Sequence, residues 1–207
     1  MIAIIDYGMG NLRSLMNAFA FISESAVITA DPAVFDTADR MVLPGVGAFG
    51  DAMKAIRALG LEQPLNHQAL EVRKPILGIC LGMQLFAKSS QEHGFHTGLN
   101  WLDADVRPLK VEPPAKVPHV GWNATCFAEG DWLFEGVPTK ESDFYFVHSH
   151  HMVCHNPADL AATIDHSGQV TAAVRRDNLV ATQFHPEKSQ DNGLRLLRNW
   201  MNRDFSC

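Results

Sequence analysis

The stretch PILGICLGMQLF, Pro75 to Phe86, decides how this chain folds. An apolar run breaks into glycines around Cys80 and then takes up helical spacing, which reads as a buried strand turning sharply into a helix. The same alternation extends outward through the first half. IAIID is followed by NLRSLMNAFAFI, AVITA follows, and RMVLPG leads into a helix from about Phe49 to Leu59. Strand and helix in strict turn imply βαβ crossovers and a parallel sheet covered on both faces. The expectation is therefore α/β, a doubly wound, mostly parallel sheet with a flavodoxin-like core.

From Trp101 to Phe184 the pattern changes to short β-like stretches separated by Pro, Gly, Asn and Asp: GWNATCF, DFYFVHS, LAATI, QVTAAVRR and LVATQF. These predict antiparallel strands and hairpins added to one edge or wrapped over the core. Leu194, Leu197 and Met201 recur at helical spacing and predict a closing helix over about Asp191–Met201. With neither repeats nor a clear linker, residues 1–207 read as a single domain.

Composition narrows the function class. The chain of 207 residues is 46% hydrophobic and carries a formal net charge of −6 without a basic run. That balance argues against nucleic acid or an anionic membrane as the main partner. The N-terminal MIAIIDYGMGN has neither a basic region before its apolar run nor a small-residue cleavage site after it, so it reads as a first strand. No segment approaches the ~20 apolar residues of a membrane span, and a cytoplasmic location is expected. Cysteines 80, 126, 154 and 207 are too scattered for a zinc ribbon or a C-x-x-C pair, which leaves them as thiols.

Cys80 sits where the strand ends, and ligands of open α/β sheets gather at the carboxyl ends of strands. Gly78 and Gly82 flank it as G-x-C-x-G, the form of the G-x-S-x-G nucleophile elbow. At the amino end of the following helix the sulfur would feel the positive end of the dipole and unpaired amides, which favour thiolate. A buried packing thiol is the competing reading. His185, in ATQFHPEKS, ends another apolar stretch, and Glu187 lies two residues on, where an extended backbone points both the same way. A carboxylate there would fix the tautomer of the imidazole. Cysteine, histidine and glutamate together outweigh the separate readings of a core thiol and a satisfied strand-end histidine.

GICLGMQ, FHPEKS about a hundred residues later, and LPGVGAFG before both resemble the class I (triad) glutamine amidotransferases. More narrowly, DYGMGNL, KVPHVGWN at 116–123, YFVHS at 145–149 and HPEKSQ resemble the family of glutaminase subunits of imidazole glycerol phosphate synthases. The resemblance implies that Cys80 attacks the amide carbon of glutamine, that His185 moves protons, and that Glu187 holds His185. It implies further that Gln84 binds glutamine and that Gly45, Val46 and Gly47, with the Leu81 amide, form the oxyanion site. No cofactor and no metal are implied. Trp122 and Tyr145 match positions at a partner interface, and Lys188 matches a lysine that pairs with an acidic partner residue. Placement on a strand's core face is the alternative for the two aromatics.

The partner implied is a (β/α)8-barrel synthase that receives ammonia through a sealed interface, with glutamine as the small-molecule substrate. The chain departs from the family after VHS, where His150 and His151 replace the usual tyrosine pair. Ser149 and His150 lie where backbone groups would meet the glutamine α-carboxylate. HSHH reads poorly as a metal cluster, because adjacent strand residues point to opposite faces. Two other readings stay open: a paralogue supplying ammonia in surface-sugar biosynthesis, and a non-catalytic binding subunit.

Overall fold

The structure, a computed structural model, describes residues 1–139 and 142–205; Cys207 lies outside them. In chain order its first half runs β1 (Ile2–Ile5), α1 (Leu12–Phe21), β2 (Ala26–Thr29), α2 (Pro32–Thr37), β3 (Arg40–Gly45), α3 (Phe49–Ala58), α4 (Glu62–Asn66), β4 (Ile76–Cys80) and α5 (Leu81–Leu85). The second half runs β5 (Ser89–Ser90), β6 (His96–Thr97), β7 (Ala104–Pro108), β8 (His119–Phe127), β9 (Asp143–His148), β10 (His150–Cys154), β11 (Leu160–Asp165), β12 (Gln169–Arg176), β13 (Leu179–Thr182) and α6 (Gln190–Asn202).

A nine-stranded sheet of order β2-β1-β3-β4-β13-β12-β11-β8-β9 forms the centre. Its first five strands are parallel and the remaining four antiparallel. Strands covered on both faces need apolar side chains at every position, and β1, β4 and β13 are buried throughout. Alternation divides them between two cores. Ile2 and Ile4 pack with Leu15 and Phe19 of α1 and with Leu196, Leu197 and Trp200 of α6. Ala3 and Ile5 pack with Phe35, Phe49, Met53 and Trp101 on the other face.

One strand differs from the sequence expectation, and two further features frame the site. β13 belongs to the parallel block, paired with β4 from Leu179↔Ile76 to Thr182↔Ile79, although it is also antiparallel to β12. A second sheet of order β10-β7-β5-β6 covers one core. The helix after Cys80 stops at Leu85, because the segment 98–102 takes the carbonyls it would need: Leu99 donates to Leu85, Trp101 and Leu102 to Phe86, and Asn100 to Ala87. Among the described residues no helix is long and apolar enough to cross a membrane.

The α6 face is a stability test. Trp200→Ala is expected to lower the unfolding free energy by about 3–5 kcal/mol, whereas Arg198→Ala, on the exposed side of the same helix, is expected to change it by less than about 0.5 kcal/mol. Denaturant midpoints measure both.

Candidate active site

The corner at Cys80 is strained, with φ 55° and ψ −108°, a backbone conformation that non-glycine residues keep only when their surroundings impose it. The flanking glycines are part of that imposition. A Cβ on Gly82 would lie 1.8 Å from the Leu43 carbonyl oxygen, and one on Gly78 would lie 2.9 Å from the Phe86 ring. Any side chain at either position would push α5 off β3 and β4. The elbow therefore depends on two bare backbones.

Cys80 is a free thiol, 6% exposed, at the wall of a cavity of about 310 Å³. Its Sγ lies 3.9 Å from the Val147 carbonyl and receives the Gln183 amide at 3.7 Å. Val46, Gly47, Leu81, Gln84, Ser149, His150 and His185 also line this cavity. Gly45 does not; it pairs with Cys80 across β3 and β4, one layer below.

His185 is 2% exposed, and its Nδ1 lies 2.8 Å from Glu187 Oε1. The two meet across a 3-10 turn, Pro186–Lys188, and not along an extended strand as the sequence reading assumed. The backbone is fixed from both sides: His185 N donates to the Tyr145 carbonyl, and Ser189 Oγ donates to the His185 carbonyl. Burial by itself disfavours the imidazolium. The nearby Cys80 sulfur, together with the hydrogen bond and charge of Glu187, outweighs burial and raises the pKa of His185 to about 9. The imidazole Nε2 is buried and makes no hydrogen bond of ordinary geometry, and the Cys80 Sγ faces the Val147 carbonyl. Burial and the nearby Asp159 push the Cys154 thiol up to about 11.

Gln84 is held in place. Its Nε2 donates to the His150 carbonyl and to Gln183 Oε1, each at 3.0 Å. The His150 carbonyl also lies 2.9 Å from His148 Nδ1. It is available to both because the neighbouring Ser149 carbonyl is the one that bonds across to β7's side, taking the Leu109 N–H at 2.9 Å, so by the alternation of an antiparallel ladder the His150 carbonyl points away from β7. The carboxylate of Glu92 closes the cavity, taking the Phe49 N–H at 2.7 Å and standing 3.4 Å from His150 Nδ1. His150 and His151 separate as adjacent strand residues do, with His151 opposite Arg107.

The family model "Glutamine amidotransferase class-I" matches residues 3–203, the span that holds the strained cysteine, the buried histidine–carboxylate pair and the glycine loop. The chain belongs to the class-I glutamine amidotransferases. Among members of the family, an imidazole glycerol phosphate synthase subunit HisH of Sulfurimonas denitrificans is 47% identical over 203 residues, with 97% of each chain covered. A HisH 2 subunit of Nitrobacter winogradskyi is 45% identical over 205 residues, again covering 97% of both. In fold the chain is similar to a glutamine amidotransferase crystal structure, with a TM-score of 0.72, 18% identity and 97% of each chain covered. A second glutamine amidotransferase crystal structure, from Thermotoga maritima, has a TM-score of 0.62 at 19% identity, covering 97% of this chain and 80% of that one.

This amidotransferase carries a hydrophobic rim beside its cavity. Trp122 is 48% and Val120 57% exposed, and both stand on β8 opposite Tyr145 and Val147 of β9. The Trp122 and Tyr145 rings meet edge to face at 6.0 Å, and Lys188 Nζ lies 5.8 Å from the Tyr145 ring. Trp122 is thus outside the core, contrary to the strand-face alternative. Sequence reasoning missed Gln183 and Glu92. Gln183 had a signal, standing two residues before His185 at the end of an apolar strand. Glu92 had none, because the turn that carries it in is long-range.

The electrostatics around His185 have a pH consequence. The folded state favours the proton on His185, so this contribution is complete below the ordinary pKa of 6.5 and is lost as pH rises through about 9. Its size is on the order of 3 kcal/mol. NMR titration of the ring is expected to give a midpoint near 9, and Glu187→Gln to lower it. A wild-type midpoint at or below 6.5 would contradict the assigned pairing.

Proposed function

We propose that this chain hydrolyses glutamine to glutamate and ammonia with Cys80, His185 and Glu187, as the glutaminase half of an imidazole glycerol phosphate synthase. The observation that carries the reading is one cavity, large enough for a small amino acid, that holds a strained cysteine and a charged histidine–glutamate pair and opens beside an exposed aromatic rim.

Cys80, as the thiolate of an ion pair with the protonated His185, adds its Sγ to the side-chain amide carbon, and the carbonyl oxygen becomes an oxyanion. The Val46 and Leu81 amides, on a loop and helix start that line the cavity, receive it, a contribution of about 2.7–4 kcal/mol per donor in comparable sites. His185, protonated at neutral pH, gives its proton to the departing nitrogen as the C–N bond breaks, which leaves ammonia and a γ-glutamyl thioester. The now neutral imidazole takes a proton from water, the hydroxide adds to the thioester, and the adduct expels the thiolate; glutamate leaves after giving its carboxyl proton to solvent, with the thiolate and the imidazolium restored. Glu187 keeps the Nδ1 proton in place throughout. Gln84 orients the ligand with the oxygen its own amide bonds leave available. The backbone at Ser149 and His150 binds the α-carboxylate, and Glu92 accepts the α-ammonium.

Ammonia released in water is protonated and lost to chemistry, so its use requires a sealed exit. The rim of Val120, Trp122, Tyr145 and Val147, with Lys188 beside it, would provide this by docking on a (β/α)8-barrel synthase. The barrel then adds the nitrogen to a phosphoribosyl-formimino substrate, yielding imidazole glycerol phosphate and the aminoimidazole carboxamide ribotide. This division of labour belongs to one domain, 1–207, working in the cytoplasm, where Cys80 stays reduced.

Cys80→Ala in the complex is expected to abolish glutamine-dependent synthesis while synthesis supplied with ammonium salts persists; loss of both would refute the division. Trp122→Ala is expected to weaken binding to the barrel by about 2 kcal/mol, read by titration calorimetry, with the fold unchanged by circular dichroism.

A further inference from the structure

DYGMGN, Asp6 to Asn11, is the part of the sequence that the mechanism leaves without a task. The structure places it beside the site. The strand order reverses between β1 and β3, so the segment leaving β1 and the loop leaving β3 face each other across the crevice where open sheets bind ligands.

The contacts are close and specific. Tyr7 is 2% exposed, and its hydroxyl donates to the Pro44 carbonyl at 2.7 Å. A Cβ on Gly45 would lie 2.5 Å from that hydroxyl and 2.8 Å from Leu81 Cβ, so the phenol rests on the bare backbone of Gly45, against the elbow. The Met9 methyl would lie 2.9 Å from a Cβ on Gly47, and a Cβ on Gly10 would lie 3.3 Å from the Pro44 ring. Tyr7 is thus bonded to Pro44 and lies against Gly45, while Met9 leaves no room for a side chain on Gly47. Val46, between them, is 41% exposed.

A carbonyl held by a buried donor fixes the plane of its peptide, and with it the direction of the next N–H. Burial, and secondarily the charge of Cys80, keep the Tyr7 phenol protonated well above its ordinary range, so the donor persists at every working pH. We propose that Tyr7 is a positioning residue for the oxyanion site: its hydroxyl fixes the Pro44–Gly45 peptide so that the Val46 and Gly47 amides are presented to the reacting carbonyl from a rigid base. The proposal rests on the reading of residues 45–47 as the oxyanion loop.

The test uses the complex of this chain with its synthase and the variant Tyr7→Phe, which removes only the hydroxyl. The kcat for glutamine is expected to fall by about tenfold, with KM within about twofold of wild type. The affinity for glutamate γ-semialdehyde, whose thiohemiacetal places an oxygen in the same site, is expected to fall by the same factor as kcat. Binding of glutamate and ammonia-dependent synthesis should be unchanged, which also establishes that the variant is folded and docked. Replacing Tyr7 by 4-aminophenylalanine restores a donor at that place and is expected to recover most of kcat. An unchanged kcat, a rise in KM alone, or a lost kcat without weaker semialdehyde binding would overturn the inference. If Cys80→Ala still hydrolyses glutamine, the proposed function fails; if only Tyr7→Phe is silent, the positioning role fails by itself.

Discussion

The close approach of α5 to β3 is the constraint on which the remainder of the site depends. The Leu43 carbonyl occupies the space where a side chain on Gly82 would be, and that contact holds the first turn of the helix directly over the neighbouring strand. With strand and helix fixed so near each other, the residue joining them has no relaxed conformation available, and Cys80 takes a positive φ. Strain of this kind costs on the order of 1–3 kcal/mol. Two large cores, one on each face of the sheet, outweigh it.

The short α5 also decides what kind of electrostatics serves the thiol. Five residues make a weak dipole, and the main charged neighbour of Cys80 is instead His185, whose proton is secured by Glu187 and by the sulfur itself. A protonated imidazole beside a cysteine suits a reaction whose first need is a proton for a departing amine. The Cys80 sulfur faces the Val147 carbonyl, and the imidazole Nε2 makes no well-aligned hydrogen bond. Val147 stands on β9 at the exposed rim, so the strand that carries the rim is the strand that touches Cys80.

Much of this was legible in the chain. The elbow, the histidine–glutamate pair and the glycine loop each have local sequence signatures, because each depends on backbone permissiveness or on residues a few positions apart. The five parallel strands were legible except β13, whose run LVATQF resembles its antiparallel neighbours. Its parallel pairing to β4 is a choice between partners that are remote in sequence. The second sheet was not legible at all, since β5 and β6 have two residues each and only their neighbours make them strands. Glu92 and Tyr7 escaped for the same reason: a glutamate in a turn and a tyrosine after a strand have many possible fates.

By itself, the sequence determined the fold class and singled out the cysteine corner and the histidine–glutamate pair that the structure brings to one cavity, because those depend on periodicity, on glycine where no side chain fits, and on spacing within a turn. Only the tertiary structure decided that Trp122 faces outward, that Glu187 reaches His185 through a 3-10 turn, and that Tyr7 rests on Gly45. Each of these is set by the packing of segments tens of residues apart, and the free energy of such contacts is a property of the assembled sheet, absent from any single stretch of chain.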